Sequence, residues 1–303
     1  MTQWSEFKRR SLWQHPVWDE FQKAVGNKTW ILKTDGAQAL VIRHTMSFGL
    51  SWLEVPRGPL FTDEESLKAI LKEIRKLAMR EAAIFVRMSS YTEMRIEGFG
   101  LMDAKTDKHP QHSLILDLGL SEEEILDQMK QKGRYNIKLA EKHDVTVEHG
   151  GDLDSWYIML QKTCSRDGFR IHPKEHYKKM LELLGDDTEL IVAKYQDRMI
   201  AGGIFVYLDG WAIYYYGAAD YNYRNLMAPY AVQWEAIKTA KMKGCSHYDF
   251  LGIAPDDSVD HLWAGVTSFK KKFGGKMVEY AKAREIVLKP FWYFIYGLRK
   301  SIR

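Results

Sequence analysis

One order of local signals occurs twice along this chain: helix, hairpin, strand, helix, strand. It limits the fold more than any single motif does. In the first copy a helix is predicted over Pro16 to Val25. TWILKT, the Asp35-Gly36 turn and QALVIRHTM then read as a hairpin, since Asp-Gly supplies the backbone conformation a tight turn needs. A third strand is predicted at Leu50 to Val55. Thr62 and Glu65 make a capping box ahead of Leu67, Ile70, Leu71, Ile74 and Leu77, an apolar stripe at helical spacing, and AIFVRMS follows as a buried strand. The second copy places a helix at Pro173 to Leu184 and strands at Glu189 to Tyr195 and Met199 to Leu208, joined by Gln196-Asp197. After Asp209-Gly210 come the strand WAIYYYG, a helix from Ala228 to Lys243 and the strand HYDFLGI.

Two copies with little residue identity argue for a duplicated lobe in an α/β (α+β) fold, and 303 residues suit about two domains. Ser121 and Glu124 form a further capping box opening one long amphipathic helix, Glu122 to Lys142. The boundary is expected at Gly150-Gly151, giving lobes 1–150 and 151–280. With 46% hydrophobic and 28% charged residues the chain is globular, and a net charge of +4 is too small for a dedicated nucleic-acid binder. Cys164 and Cys245 are too few for a disulfide framework and lack metal-like spacing. MTQWSEFKRR has no apolar core of a secretion signal, so a cytoplasmic protein is expected.

The densest site signal is Phe269-Lys270-Lys271-Lys272-Phe273-Gly274-Gly275-Lys276. Its lysines suit a solvated helix end with Gly274 as a left-handed cap, or one of them faces a phosphate or a developing oxyanion. Arg166-Asp167-Gly168-Phe169-Arg170 presents two arginine forks before a helix that includes Tyr177, an arrangement equally suited to a diphosphate or an ordinary loop. Tyr214-Tyr215-Tyr216-Gly217 leads through Arg224 to Pro229 into a helix N-terminus. Strand alternation predicts Tyr215 on the face opposite Tyr214 and Tyr216, so the three rings do not share one site. No GxGxxG, Walker loop, GxSxG or Cys/His signature is present. His172 and His176 have zinc-helix spacing without the HExxH order, and His109 and His112 add no ligand set, so no metal is expected. The segment FWYFIYGLRKSIR either docks peripherally on a membrane or packs its aromatics on the first lobe with a solvated basic end. It is too short to span a bilayer.

Taken together, Trp13 to Phe21, Val55-Pro-Arg-Gly-Pro59, Arg134 to Ala140, Arg166 to Phe169, Tyr216-Gly-Ala218, Leu226 to Tyr230, His247 to Phe250, Phe269-Lys270 and Phe273-Gly-Gly275 resemble the FemABX family. These are Fem-type peptidyltransferases that use aminoacyl-tRNA to branch peptidoglycan precursors. The resemblance implies two tandem lobes of the GNAT N-acyltransferase type, residues 281–303 returning to complete the first, no cofactor, and a compact form lacking the helical-hairpin arm of some members. It implies transfer from aminoacyl-tRNA to the stem-peptide amine of a UDP-linked or lipid-linked muropeptide. Lys270 would stabilise the oxyanion or the leaving hydroxyl, and Phe269 would shape the pocket. Lys23 with Arg166 or Arg170 would hold the diphosphate, and Tyr177 and Tyr216 would border the peptide. Arg57, Tyr215 and Asp249 are further binding positions, Asp249 also being the nearest candidate for a general base. An acyl-CoA N-acyltransferase is the alternative enzyme, although Arg224 to Pro229 lacks its pyrophosphate loop. A non-catalytic tRNA or membrane-surface module is the alternative outside catalysis.

Overall fold

Left-handed backbone closes the hairpins where turn residues predict it: at Gly36 (φ 70°), at Gln196 and Asp197 (49° and 60°), and at Asp209 and Gly210 (52° and 80°). A computed structural model describes residues 4–7, 10–256 and 260–301. By backbone contacts the chain divides into a unit running to Gln111 that resumes at Glu279, and a unit from His112 to Val278.

The first unit opens with α1 (Pro16–Ala24), β1 (Lys28–Thr34), β2 (Ala37–Thr45), β3 (Ser51–Val55) and β4 (Leu60–Phe61). It continues with α2 (Glu64–Arg80), β5 (Phe85–Met88) and β6 (Leu101–Asp103). β1 and β2 pair antiparallel with Trp30 opposite Val41, while β3 and β5 pair in parallel across the α2 crossover. The apolar stripe of α2, Leu67, Ile70, Leu71, Ile74 and Leu77, is buried against β2, β3 and β5. Its capping box lies one residue beyond the Thr62–Glu65 pair read from the sequence. The Thr62 N–H is engaged with the Gly36 carbonyl at 3.0 Å. Asp63 is therefore the cap, accepting from the Ser66 N–H at 2.8 Å while the Ser66 hydroxyl takes the Asp63 N–H at 3.1 Å.

The second unit contains β7 (His112–Asp117), α3 (Glu122–Gln128), α4 (Gln131–Lys142), β8 (Thr146–His149), α5 (Leu153–Asp167), α6 (Lys174–Leu184) and β9 (Thr188–Tyr195). β10 (Arg198–Leu208), β11 (Trp211–Ala219), α7 (Ala228–Met242), β12 (His247–Gly252), α8 (Ala264–Lys270) and β13 (Lys276–Glu279) complete it. Its sheet runs β13-β7-β12-β11-β10-β9-β8. Because β7 and β8 both belong to this sheet, the boundary lies at 111/112 and not at Gly150-Gly151; the two glycines only turn the chain from β8 into α5. The long helix expected over Glu122 to Lys142 is broken at Met129 and Lys130, whose ψ values of 148° and 143° are extended. The break is held by the Lys130 N–H on the Lys272 carbonyl at 3.1 Å. A side chain at Gly133 would meet that same carbonyl oxygen at 2.3 Å, so only glycine lets α4 approach it.

One irregularity sets the faces of β11. Phe205 pairs with Tyr214 and Ile204 with Tyr216, leaving Tyr215 as the extra residue of a bulge. Neighbours on β10 point to opposite faces, so the bulge puts Tyr214 and Tyr216 on opposite faces, correcting the simple alternation. Tyr214 stacks on Phe205 on the face covered by α4 and α7. Tyr216 meets Tyr177 of α6 on the other, at 4.8 Å between ring centres.

After β13 the chain forms β14 (Arg284–Val287), which lies between β5 and β6, and α9 (Pro290–Ser301). The first sheet thus runs β1-β2-β3-β5-β14-β6 with β4 on β2. Arg87 of β5 and Glu285 of β14 form an ion pair within this sheet at 2.5 Å, buried at both ends. Among the described residues no helix is long and apolar enough to cross a membrane.

Candidate active site

α8 is a short helix whose last residue, Lys270, turns inward. It is 7% exposed, and its ammonium donates to the Gly252 carbonyl at the end of β12 at 2.8 Å. Burial pushes the Lys270 amine down to about 8, against the opposing pull of the Asp249 carboxylate. The solvated-helix-end reading therefore fails for this lysine. Gly274, expected as a left-handed cap, has φ 81° and ψ −147° and follows the single 3-10 turn Lys271–Phe273. Phe269, half-buried, meets Tyr230 at 5.0 Å and Phe273 at 5.4 Å, anchoring α8 to α7 and the core.

Asp249 is buried on β12, where one carboxylate oxygen accepts from the Ser113 hydroxyl on β7 and from the Leu251 N–H at 2.8 Å. Both donors fall on that one oxygen and tie Asp249 to β7 and to the turn after its own strand. Its charge supports the Lys270 cation. Beside them the Tyr214 ring centre lies 5.8 Å from the Lys270 nitrogen. The Tyr214 hydroxyl has no hydrogen-bond partner among the described residues, and burial alone pushes it up to about 12. It extends over Gly217, where a Cβ would stand 1.7 Å from the hydroxyl oxygen. Gly217 thus makes the space this phenol occupies.

The opposite face of β11 carries a second cluster. His176 Nε2 and the Tyr216 hydroxyl are 3.1 Å apart, and the His172 and His176 rings stack at 3.9 Å. Burial and the neighbouring His172 push His176 down to about 4, so the pair shares a neutral imidazole at neutral pH. Tyr177 is buried under Tyr216, accepting the His172 N–H at 3.2 Å, so it backs the cluster and does not border an open groove. Tyr215 is half-buried with its ring against Tyr216 at 4.8 Å. Arg166 closes α5, forks onto Asp167 at 2.6 and 2.8 Å, and lies 5.1 Å from the exposed Tyr221 ring. It lines a cleft of about 440 Å³ with Lys162, Arg198, Asp220 and Tyr221. Arg170 is exposed beyond the Gly168 cap.

The remaining candidates belong to the first unit. Lys23 is exposed on α1 and paired with Asp19 at 2.7 Å. Arg57 is buried in an aromatic cage, its guanidinium 4.6 Å from Tyr280, 5.2 Å from Tyr91 and 5.9 Å from Trp13, donating to the Pro110 carbonyl at 2.8 Å. That enclosure shapes the loop after β3 and leaves no open fork for a substrate. Nearby on β3, buried Glu54 receives His44 at 2.6 Å, His109 at 3.2 Å and the Lys108 ammonium. Burial raises its pKa, but His109, His44 and Lys108 outweigh that and hold it well below the usual carboxylate range.

The structure thus brings Phe269, Lys270 and Asp249 together and adds Tyr214 and Ser113. Tyr177, Tyr215 and Tyr216 gather separately with His176. Simple alternation puts Tyr214 on the face of Tyr216, and the bulge that separates them carries no sequence mark. Ser113 pairs across 136 positions. HPKEH shows His176 at zinc-helix spacing, but nothing local marks its bond to the Tyr216 hydroxyl forty residues on.

Two mixed-sheet lobes flanked by helices, each pairing two parallel strands across a helical crossover, define an α/β protein of two lobes. The chain belongs to the FemAB family, whose model matches residues 94–197 and 192–300. It is 20% identical to the Lipid II:glycine glycyltransferase of Staphylococcus haemolyticus (strain JCSC1435), covering 92% of this chain and 85% of the relative, and 19% identical to that of Staphylococcus aureus. The first alignment runs over 364 positions against 303 residues here, so segments of the relative have no counterpart in this chain. The crystal structure of FemX superimposes with a TM-score of 0.82 at 18% identity over 96% of this chain and 95% of that one. L-PGS from Bacillus licheniformis shares the fold at a TM-score of 0.59, with 13% identity over 98% and 99% of the two chains.

Proposed function

We propose that this protein is an aminoacyltransferase that moves an amino acid from aminoacyl-tRNA to the stem-peptide amine of a peptidoglycan precursor, UDP-linked or lipid-linked. Membership of the FemAB family and relatives named Lipid II:glycine glycyltransferase support the reaction class. The observation that carries the site is the buried Lys270 ammonium 5.8 Å from the ring centre of Tyr214, whose hydroxyl has no hydrogen-bond partner among the described residues.

In this reading the acceptor amine attacks the ester carbonyl carbon, forming the C–N bond and driving the carbonyl electrons onto oxygen. Lys270 and the Tyr214 hydroxyl stabilise that oxyanion, because fixed donors in a water-poor site act strongly on charge that develops there. Collapse breaks the ester C–O bond, and the ribose oxygen leaves as a hydroxyl with a proton from Lys270. The amine gives up its own proton to water, which then restores the lysine. Asp249 positions Lys270 electrostatically, and Phe269 fixes the helix that carries it. Within the second unit, Arg166 or Arg170 is the cation for the acceptor diphosphate.

The test is mass spectrometry of UDP-linked and lipid-linked muropeptides after incubation of the purified protein with total charged tRNA. The expected result is one added amino-acid residue on the stem-peptide amine. Acyl transfer from acyl-CoA with none from charged tRNA would replace the reading with the alternative enzyme.

A further inference from the structure

α9 has apolar side chains on both of its faces. Tyr293 and Tyr296 turn inward, Tyr293 donating to buried Glu285 and Tyr296 packing on Phe85 at 5.0 Å. Phe291, Trp292, Phe294 and Leu298 are exposed by 68%, 39%, 58% and 47%. At helical spacing these four fall within an arc of about 160°, opposite Tyr293 and Tyr296. A surface helix ordinarily presents polar residues there, and a contiguous apolar strip left in water marks an interaction face.

Charge says what covers it. From Ile286 to Arg303 the sequence has four basic residues, Lys289, Arg299, Lys300 and Arg303, and no acidic one. The side chains of the last three lie outside the described residues, but Lys105 and Lys289 flank α9. The Lys105 ammonium is 5.3 Å from the Tyr293 ring, and the Lys289 ammonium donates to the Ala82 carbonyl at 2.8 Å just before the helix. Protein interfaces deplete lysine at their centres, whereas aromatic side chains edged by lysine and arginine suit the headgroup boundary of an anionic bilayer. With twelve residues the helix lies on such a surface and does not cross it.

We infer that the outward face of α9 docks the protein on an anionic lipid bilayer. Phe291, Trp292, Phe294 and Leu298 enter the headgroup boundary, and the net basic charge of residues 286–303 draws the helix to the phosphates. The inference does not rest on the acyl-transfer reading, since vesicles without any acceptor test it.

The experiment is co-sedimentation of the full chain with phosphatidylglycerol-containing vesicles, beside pure phosphatidylcholine vesicles and the double variant Phe291→Ser/Phe294→Ser. We expect binding to the anionic vesicles that weakens with added salt, and roughly tenfold or greater loss both in the variant and on neutral vesicles. The variant should keep the wild-type melting temperature, because both side chains are exposed. It should also keep its activity on soluble UDP-linked acceptor, which separates this result from a failure of the enzymatic reading. No binding to anionic vesicles, or equal binding by the variant, overturns the inference. So does a lipid-free dimer that the double variant dissolves, which would assign the face to a second copy.

Discussion

Glu54 and Lys270 are both buried charges, one in each unit, and the fold treats them in opposite ways. Glu54 receives His44, His109 and Lys108, and its carboxylate is held well below its ordinary range. Among the described residues Lys270 has one backbone carbonyl within hydrogen-bond distance and a carboxylate further off, and its pKa is pushed down to about 8. A charge whose bonding capacity is filled strengthens the fold, while one left partly filled keeps its field for something that arrives later.

The largest effect should come from removing the underfilled charge. Lys270→Met is expected to lower kcat by roughly a hundred- to a thousandfold while leaving the circular dichroism spectrum unchanged. Unchanged turnover would remove Lys270 from the reaction. Glu54→Leu should do the reverse, costing about 2–3 kcal/mol in urea unfolding with little effect on kcat per folded molecule. That cost is below the value for a fully enclosed pair because Lys108 is half-exposed. Because the folded Glu54 pKa is depressed, its contribution is complete above the unfolded value of 4.5. It is lost as pH falls towards the folded one. An acid-unfolding midpoint that does not move in the variant would break the comparison.

Tyr214→Phe removes only a hydroxyl that has no partner among the described residues, so stability should hold while kcat falls about tenfold. A stability loss with normal kcat would make Tyr214 a packing residue. The pH profile sharpens the same point. Wild-type kcat should fall above a pH of about 8 as Lys270 loses its proton. Since the unfolded lysine keeps that proton up to about 10.5, wild-type stability should rise between the two values, and Lys270→Met should lack the rise. The smallest change is expected from Ser113→Ala, about 1 kcal/mol of stability together with a shift of the alkaline limb by less than one pH unit.

Repeating patterns made most strands and helices legible, because hairpin turns and apolar stripes are local. Thr62 against Asp63 shows the limit: both are capping residues, and only the Thr62 N–H bond to Gly36 in the sheet decides between them. The Met129–Lys130 break was hidden because its cause is a carbonyl at Lys272. Lys270 was legible as one lysine among four, but its burial depends on β12, and Asp249 acquires its partner from β7. The Tyr214 position is the clearest case. A single unpaired residue, Tyr215, reverses which face each neighbour takes, and nothing in YYYGAA marks it.

β14 sits between β5 and β6, which makes the order of synthesis differ from the order of completion. The whole unit from His112 to Val278 is synthesised before the earlier sheet receives its fifth strand. The lobe begun first is finished last, and until residue 287 appears β6 has no neighbour to pair with and Arg87 has no Glu285. A nascent chain stalled before that point would therefore expose an open sheet edge and an unpaired arginine. That is the form a chaperone would be expected to meet.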